Sequence, residues 1–208
     1  MVAHWSGALF ISDVKALIVA DLHIGKAEHF RRNGIPLPKA VNDNNFWNLA
    51  AAIEDLNPVR IVFLGDVIHS AENAEWEEFA DFLVNFQYIK FDLVRGNHDK
   101  QPSSFFESMG MSVIDSWTCQ NILFSHEPSQ RPLFYNISGH IHPAVVLVGG
   151  GQQSMRVPCF FFTKKSGLLP AFGSFTGAAT ISPKAGDQVL VLLENKIFDF
   201  TSKILSQK

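Results

Sequence analysis

The chain has 208 residues, 47% of them apolar, 19 phenylalanines and a net charge of −3. That length and apolar content suit one α/β domain over residues 1–208 with a thick aromatic core. The slightly acidic balance excludes a protein that coats nucleic acid by charge alone. Two cysteines, Cys119 and Cys159, stand outside any CxxC or zinc-ribbon spacing. They read as buried thiols or, less simply, as one disulfide. No basic leader and no apolar run of about 20 residues is present, so a cytoplasmic, membrane-free setting is expected.

In chain order, Ala8–Ser12 and Ala16–Ala20 read as a hairpin around Asp13-Val14-Lys15. Residues 39–56 carry Phe46, Leu49, Ala50 and Ile53 at helical spacing. Arg60–Leu64 reads as a strand, and residues 72–88 as a helix with Trp76, Phe79, Ala80 and Leu83 on one stripe. A strand Phe91–Val94, a short helix over 102–109 and strands Ile122–Phe124 and Tyr135–Ser138 follow. The last third reads as strands Ala144–Val148, Met155–Phe162, Leu168–Phe172, Gln188–Leu193 and Ile197–Phe200. Turns fall at Gly149-Gly150-Gly151, Ser166-Gly167 and Glu194-Asn195-Lys196. βα units followed by a β-rich half predict two packed sheets with helices outside.

Five short motifs follow these strand-like runs: Asp21-Leu22-His23, Gly65-Asp66, Gly96-Asn97-His98-Asp99, Ser125-His126 and Gly139-His140-Ile141-His142. Each alone is weak, and an isolated Ser-His is more often a core histidine. Their ordered recurrence at strand ends is the layout of a metal-dependent hydrolytic site. In extended backbone, residues two apart point the same way. That would join Asp21 to His23 and His140 to His142. Seven side chains (Asp21, His23, Asp66, Asn97, His126, His140 and His142) exceed the needs of one ion. Two ions sharing Asp66 use them all. Nitrogen and oxygen ligands without thiolate favour Mn, Fe or Zn over Mg or Ca. Two divalent ions bring four positive charges and the two aspartates cancel two, so the site stays cationic and suits a phosphate ester. Ions about 3.5–4 Å apart can clamp both oxygens of an in-line displacement.

His98 diverges from its neighbour Asn97 and reads as the residue that contacts phosphate and protonates the leaving oxygen. Asp99 orients it or supports the ligands from behind. Lys26, Arg31, Arg32 and Arg95 flank the motifs and are candidate substrate cations, with an ordinary solvated face as the competing reading. His69 supports the site or simply packs, and His4 and His29 read as surface residues.

These residues resemble the calcineurin-like metallophosphoesterase superfamily, whose pattern is DxH, GD, GNH(D/E), a histidine motif and GHxH. The resemblance implies one metal at Asp21, His23, Asp66 and His142, another at Asp66, Asn97, His126 and His140, and His98 as the catalytic histidine. The fourth motif departs from the usual Gly-His, reading Ser125-His126-Glu127-Pro128, yet keeps its ligand. Further segments resemble the bacterial ligase-associated DNA-damage-response phosphoesterase group, related to the SbcD-type nucleases. They are Asp21–Lys26, Phe30–Pro36, the His126-Glu127-Pro128 turn, Arg156–Phe160 and Leu169–Gly173. The resemblance runs from about Leu17 to Gly177. It implies a four-layer αββα sandwich, manganese dependence, phosphodiester cleavage of DNA, and ligase, helicase or exonuclease partners. Two other readings compete: a phosphodiesterase of cyclic or other small nucleotides, and a non-catalytic scaffold with the same fold.

Overall fold

A computed structural model describes residues 1–26, 40–68, 74–131, 133–149, 153–174 and 176–201, without the side chains of residues 40–43 and 74. The first sheet has the order β1-β2-β3-β4-β5-β6. Its strands are β1 (Val2–Ala3), β2 (Leu9–Ile11), β3 (Ala16–Val19), β4 (Arg60–Leu64), β5 (Lys90–Val94) and β6 (Met111–Ile114). The expected hairpin forms as β2 and β3, antiparallel, with Leu9 opposite Ile18. From β3 to β6 the strands are parallel. Each parallel step needs a crossover. The described α-helices lie in those crossovers: α1 (Ala40–Leu56), α2 (Ala74–Val84) and α3 (Ser103–Ser108).

The central strands alternate, and both of their faces are covered. Leu17, Val19, Ile61, Phe63, Phe91 and Leu93 pack against Leu49 and Ile53 of α1, Trp76 and Phe79 of α2, and Phe106 of α3. Ala16, Ile18, Val62, Leu64 and Val94 face the other way and meet Phe124, Ile137 and Phe160 of the second sheet, together with Leu169 just past it. Aromatic rings tie the helical face together. Phe63 lies 5.9 Å from Phe79 and 6.4 Å from Phe91, and Phe46 bridges Phe79 and Phe82. Helix α2 stops four residues before the expected end, where the Asn85 side chain turns back to donate to the Asp81 carbonyl.

The second sheet runs β13-β10-β11-β12-β9-β8-β7, and β14 and β15 are added through β11. Its strands are β7 (Trp117–Cys119), β8 (Ile122–Ser125), β9 (Tyr135–Ser138), β10 (Pro143–Val148), β11 (Ser154–Phe162), β12 (Ser166–Leu168), β13 (Ala179–Thr180), β14 (Gln188–Leu193) and β15 (Lys196–Asp199). Strands β8, β9 and β12 are parallel neighbours. Val145, Val157, Cys159, Val189 and Val191 form a smaller cluster that includes no residue of α1, α2 or α3. The described residues thus supply helices, first sheet and second sheet, which are three layers of the expected four. The protein is a mixed α/β fold with two mixed sheets.

The strand expected over Leu168–Phe172 is a correction. Only Leu168 belongs to a strand, and Ser166-Gly167, expected as a turn, begins that strand. Residues 169–173 instead cross between the sheets. Leu169 donates its N–H to Ser138 at the end of β9, and Phe172 donates to Ala20 just past β3. The apolar pattern is real because the segment is buried, but its backbone bonds are divided between two sheets. The short strands β1, β6, β7 and β13 give no alternating run long enough to read from sequence. Gly149 donates to Gln153 to close the β10–β11 hairpin, and Gly150 and Gly151 lie outside the described residues. Both cysteines are free and buried, and burial pushes the Cys159 thiol up to about 12.

Phe63 is wholly buried at the junction of α2 and the central strands. Phe63→Ala should cost about 3–5 kcal/mol of stability through lost packing and a cavity. Urea denaturation reads this, and a loss under 1 kcal/mol would show that the helical face repacks freely.

Candidate metal centre

All five motifs begin at or just beyond the C-terminal ends of β3, β4, β5, β8 and β9. These are parallel strands within their sheets, so their carboxyl ends share one edge of each sheet, where the crevice of an α/β structure lies. The loops after β3 and β4 zip together: Asp21 N–H donates to Gly65, His23 to Asp66 and Ile24 to Val67. The crossing segment fixes the second sheet against them, because Gly173 donates to the Asp21 carbonyl.

Close approach explains the motif glycines. A Cβ on Gly65 would strike the His126 ring, and one on Gly96 would strike the Asp66 backbone nitrogen and carboxylate. One on Gly139 would strike Asp21 Oδ2 and, at 2.8 Å, the Ala20 side chain. The backbone of the ligands differs from expectation. Asp21, His23, Asp66, His140 and His142 all have positive φ, between 50° and 64°. The extended-strand reasoning for Asp21 with His23, and for His140 with His142, is therefore corrected. Left-handed turns aim these side chains, at about 1–3 kcal/mol of strain each. The same turns send His140 and His142 to different clusters.

Two clusters result, Asp21 with His23 and His142, and Asp66 with His126 and His140. In each, the candidate ligand atoms all lie within 4.8 Å of one another. Asp21 is fully buried and Asp66 is 3% exposed. The hydrogen bonds behind the rings decide what faces inward. His126 Nδ1–H donates to the Leu64 carbonyl at 2.9 Å, leaving Nε2 with a lone pair. That nitrogen is met by His140 Nδ1 at 3.1 Å, Asn97 Oδ1 at 3.0 Å and Asp66 Oδ1 at 3.6 Å. His142 Nδ1–H donates to Gly177 at 2.8 Å, and its Nε2 lies 3.3 Å from Asp21 Oδ1. Both of these last two atoms are buried without a hydrogen-bond partner. Converging acceptors that lack a proton between them repel one another, and a cation resolves the conflict. The residues present fit two divalent ions. Asp66 lies in the second cluster, with Oδ1 toward His126 and Oδ2 4.0 Å from His98 Nε2, and His126 Nδ1 lies 3.8 Å from Asp21 Oδ1, which sets the two clusters side by side.

His98 stands at the edge, its side chain 41% exposed and its ring 5.7 Å from His23. Its backbone N–H donates to Asp66 Oδ1. Asp99 has another employment than contact with substrate. Its buried carboxylate accepts from the N–H groups of Val67, Ile68 and Gly96, tying the loop after β4 to the loop after β5. Burial pushes its pKa up, against the pull of the Gly96 and Ile68 amides. Arg95 is likewise committed: its guanidinium donates to the carbonyls of Asp99 and Gln101 and to Ser103 Oγ, and lies over Phe106. Its reading as a substrate cation gives way to that of a loop staple. Lys26 is half-buried beside the cluster; burial lowers its pKa, while Asp66 and Asp21 pull it up. Arg31, Arg32, His29 and His69 lie outside the described residues. His4, expected at the surface, is buried between Ser6 Oγ and the Asp55 carboxylate.

Burial lowers the pKa of His142, but the Asp21 carboxylate and the Gly177 carbonyl together raise it above the ordinary histidine value. The protonated ring is then favoured as pH falls, and a proton competes with a cation for Nε2. Metal uptake should release protons and weaken toward acid pH. Titration calorimetry in two buffers of different ionisation enthalpy measures that release; equal heats would contradict it. Asp99→Asn should cost about 1–3 kcal/mol by leaving a backbone amide unsatisfied. It should also lower metal content, read by urea midpoint and elemental analysis. A variant as stable and as metal-rich as wild type would show that the tie is dispensable.

Residues 14–167, which span all five motifs, match the model of the calcineurin-like phosphoesterase family. No curated protein matches the chain at a significant level. Among solved structures, the nuclease MPE of Pseudomonas putida is similar with a TM-score of 0.78 and 25% identity, covering 95% of this chain and 93% of that one. The phosphoesterase Yfce of E. coli aligns over 88% of this chain and 96% of its own, at 11% identity and a TM-score of 0.46, too low to carry an argument. Among the described residues, no helix is long and apolar enough to cross a membrane. With the family match laid over two ligand clusters at the shared strand ends, the chain belongs to the calcineurin-like phosphoesterase family and is a metal-dependent phosphoester hydrolase.

Proposed function

We propose that this hydrolase is a phosphodiesterase that cleaves DNA in a repair setting, with two manganese ions at the cluster. Asp21, His23, Asp66 and His142 would hold one ion, and Asp66, Asn97, His126 and His140 the other. The observation that carries the reading is the pair of acceptor clusters side by side, with half-exposed His98 at their rim, 4.0 Å from Asp66 Oδ2. The bound ions would supply Lewis acidity to the phosphoryl oxygens.

The chain's own residues supply the rest. Left-handed turns at five ligands fix their directions before substrate arrives, which is preorganisation. His126 and His142 are held in one tautomer by the carbonyls of Leu64 and Gly177, so their Nε2 atoms stay available. His98 Nε2 gives its proton to the leaving oxygen, and its exposure lets it meet a substrate that the buried ligands do not touch. Lys26 adds a cation beside the phosphate position. The DNA substrate is supported by the subgroup signatures in the sequence and by likeness to the P. putida nuclease over nearly the whole of both chains.

Asn97→Ala and His98→Ala should both lose bis-p-nitrophenyl phosphate turnover, the latter by about 10²–10⁴-fold. Elemental analysis should show reduced metal in the Asn97 variant and both ions retained in the His98 variant. Equal metal loss in both variants would contradict these roles. Turnover of cyclic nucleotides with DNA left intact would move the substrate to a small nucleotide.

A further inference from the structure

A second surface flanks the connection that leads out of the metal centre. A cleft of about 930 Å³ opens beside the connection from β8 to β9, lined by Pro128, Arg131, Phe134, Tyr135, Lys164 and Lys165 among others. Pro128 is two residues from His126, so its Cα lies within about 7 Å of that ligand's Cα. The rest of the cleft lies at the opposite, N-terminal ends of β8 and β9, where Tyr135 meets Asn121 and the Thr163–Ser166 turn stands, so the connection from His126 through Pro128 is what links it to the centre.

Its charge is opposite in sign to the chain's net charge of −3. Arg131, Lys164 and Lys165 are exposed, and the lining includes no carboxylate. Among the described residues, none of these three cations has an ion-pair partner. Neither Glu127, which precedes Pro128 in sequence, nor Asp187, whose charge helps burial raise the Tyr135 hydroxyl's pKa, lines the cleft. Between the cations, Phe134 is 40% exposed and Leu133 is 94% exposed. Tyr135 is held in place, its hydroxyl donating to the Thr163 carbonyl. Unpaired cations along a groove with an open aromatic face match a chain of phosphates carrying unstacked bases. A small nucleotide would fill the metal centre without needing this cleft.

We propose that the cleft binds a single-stranded polynucleotide segment leading away from the scissile bond, with Arg131, Lys164 and Lys165 on phosphates and Phe134 under a base. The proposal rests on the DNA-cleaving reading and adds where the strand runs beyond the scissile bond and that it is unpaired there.

The test compares wild type with the Arg131→Glu/Lys164→Glu/Lys165→Glu variant, both loaded with manganese. Binding is read by fluorescence anisotropy of a labelled phosphorothioate oligothymidylate of 20 nucleotides across a salt series. Activity is read on bis-p-nitrophenyl phosphate and on an unmodified oligonucleotide of the same length. The triple variant should bind at least about tenfold more weakly, with a salt slope lower by about 2 for three lost phosphate contacts. Its turnover of the small diester should be unchanged. Phe134→Ala should weaken binding by about fivefold or more without altering the salt slope. Wild-type affinity and slope in the triple variant would overturn the proposal. If the triple variant also loses small-diester turnover, its fold is at fault, and the milder Lys164→Gln/Lys165→Gln pair decides by the same binding criteria. If wild type cleaves the small diester but no oligonucleotide, the DNA reading fails separately, and anisotropy still judges the cleft.

Discussion

Two aspartates, Asp21 and Asp66, are almost wholly withdrawn from water at the meeting point of two sheets. Desolvated carboxylates are costly unless matched by positive charge. Here their surroundings add ring lone pairs and amide oxygens to the negative side. The ordinary remedies are spent elsewhere: the protons on the outer nitrogens of His126 and His142 go to backbone carbonyls. Divalent cations are what this arrangement demands. The strand-end loops, the motif glycines and the strained ligand backbones all serve to maintain it.

That demand shapes the fold around it. The sheets pack through Ile18, Val62, Phe124, Ile137 and Phe160, which sets their separation. Only glycine at positions 65, 96 and 139 lets their edges close far enough for ligands from both to reach the same ions. Asp99 and Arg95 then act one step behind. The carboxylate joins two loops, and the guanidinium holds the segment after β5 in its turn. Strain at the ligands is sustained because the two layers of apolar packing on either side of β3, β4 and β5 outweigh it. Rigid placement is the functional return, since the ligands need no rearrangement when phosphate arrives.

A division of labour follows within the site. The buried ligands define where a phosphoryl group sits, and His98 at the rim meets what leaves. Specificity has to come from beyond them, because every phosphate ester presents the same oxygens to a metal pair. The cleft beside Pro128 is where a polymer and a small nucleotide would differ.

The sequence by itself determined the ordered motifs, the strand that precedes each, the helices of the crossovers and the acceptor chemistry of the ligands. Those are local properties: composition, periodicity and residue type. Tertiary structure alone decided the rest. His140 and His142 part company because of left-handed turns that extended-strand reasoning does not foresee. Leu169–Phe172 is apolar like a strand yet joins two sheets, because backbone hydrogen-bond partners are not written in hydrophobic pattern. Asp99 and Arg95 look like site residues from their spacing. Their partners, the amides of Val67 and Ile68 and the carbonyls of Asp99 and Gln101, assign them to holding loops. Contacts between segments far apart in the chain, such as Gly65 against His126, exist only once both sheets have packed.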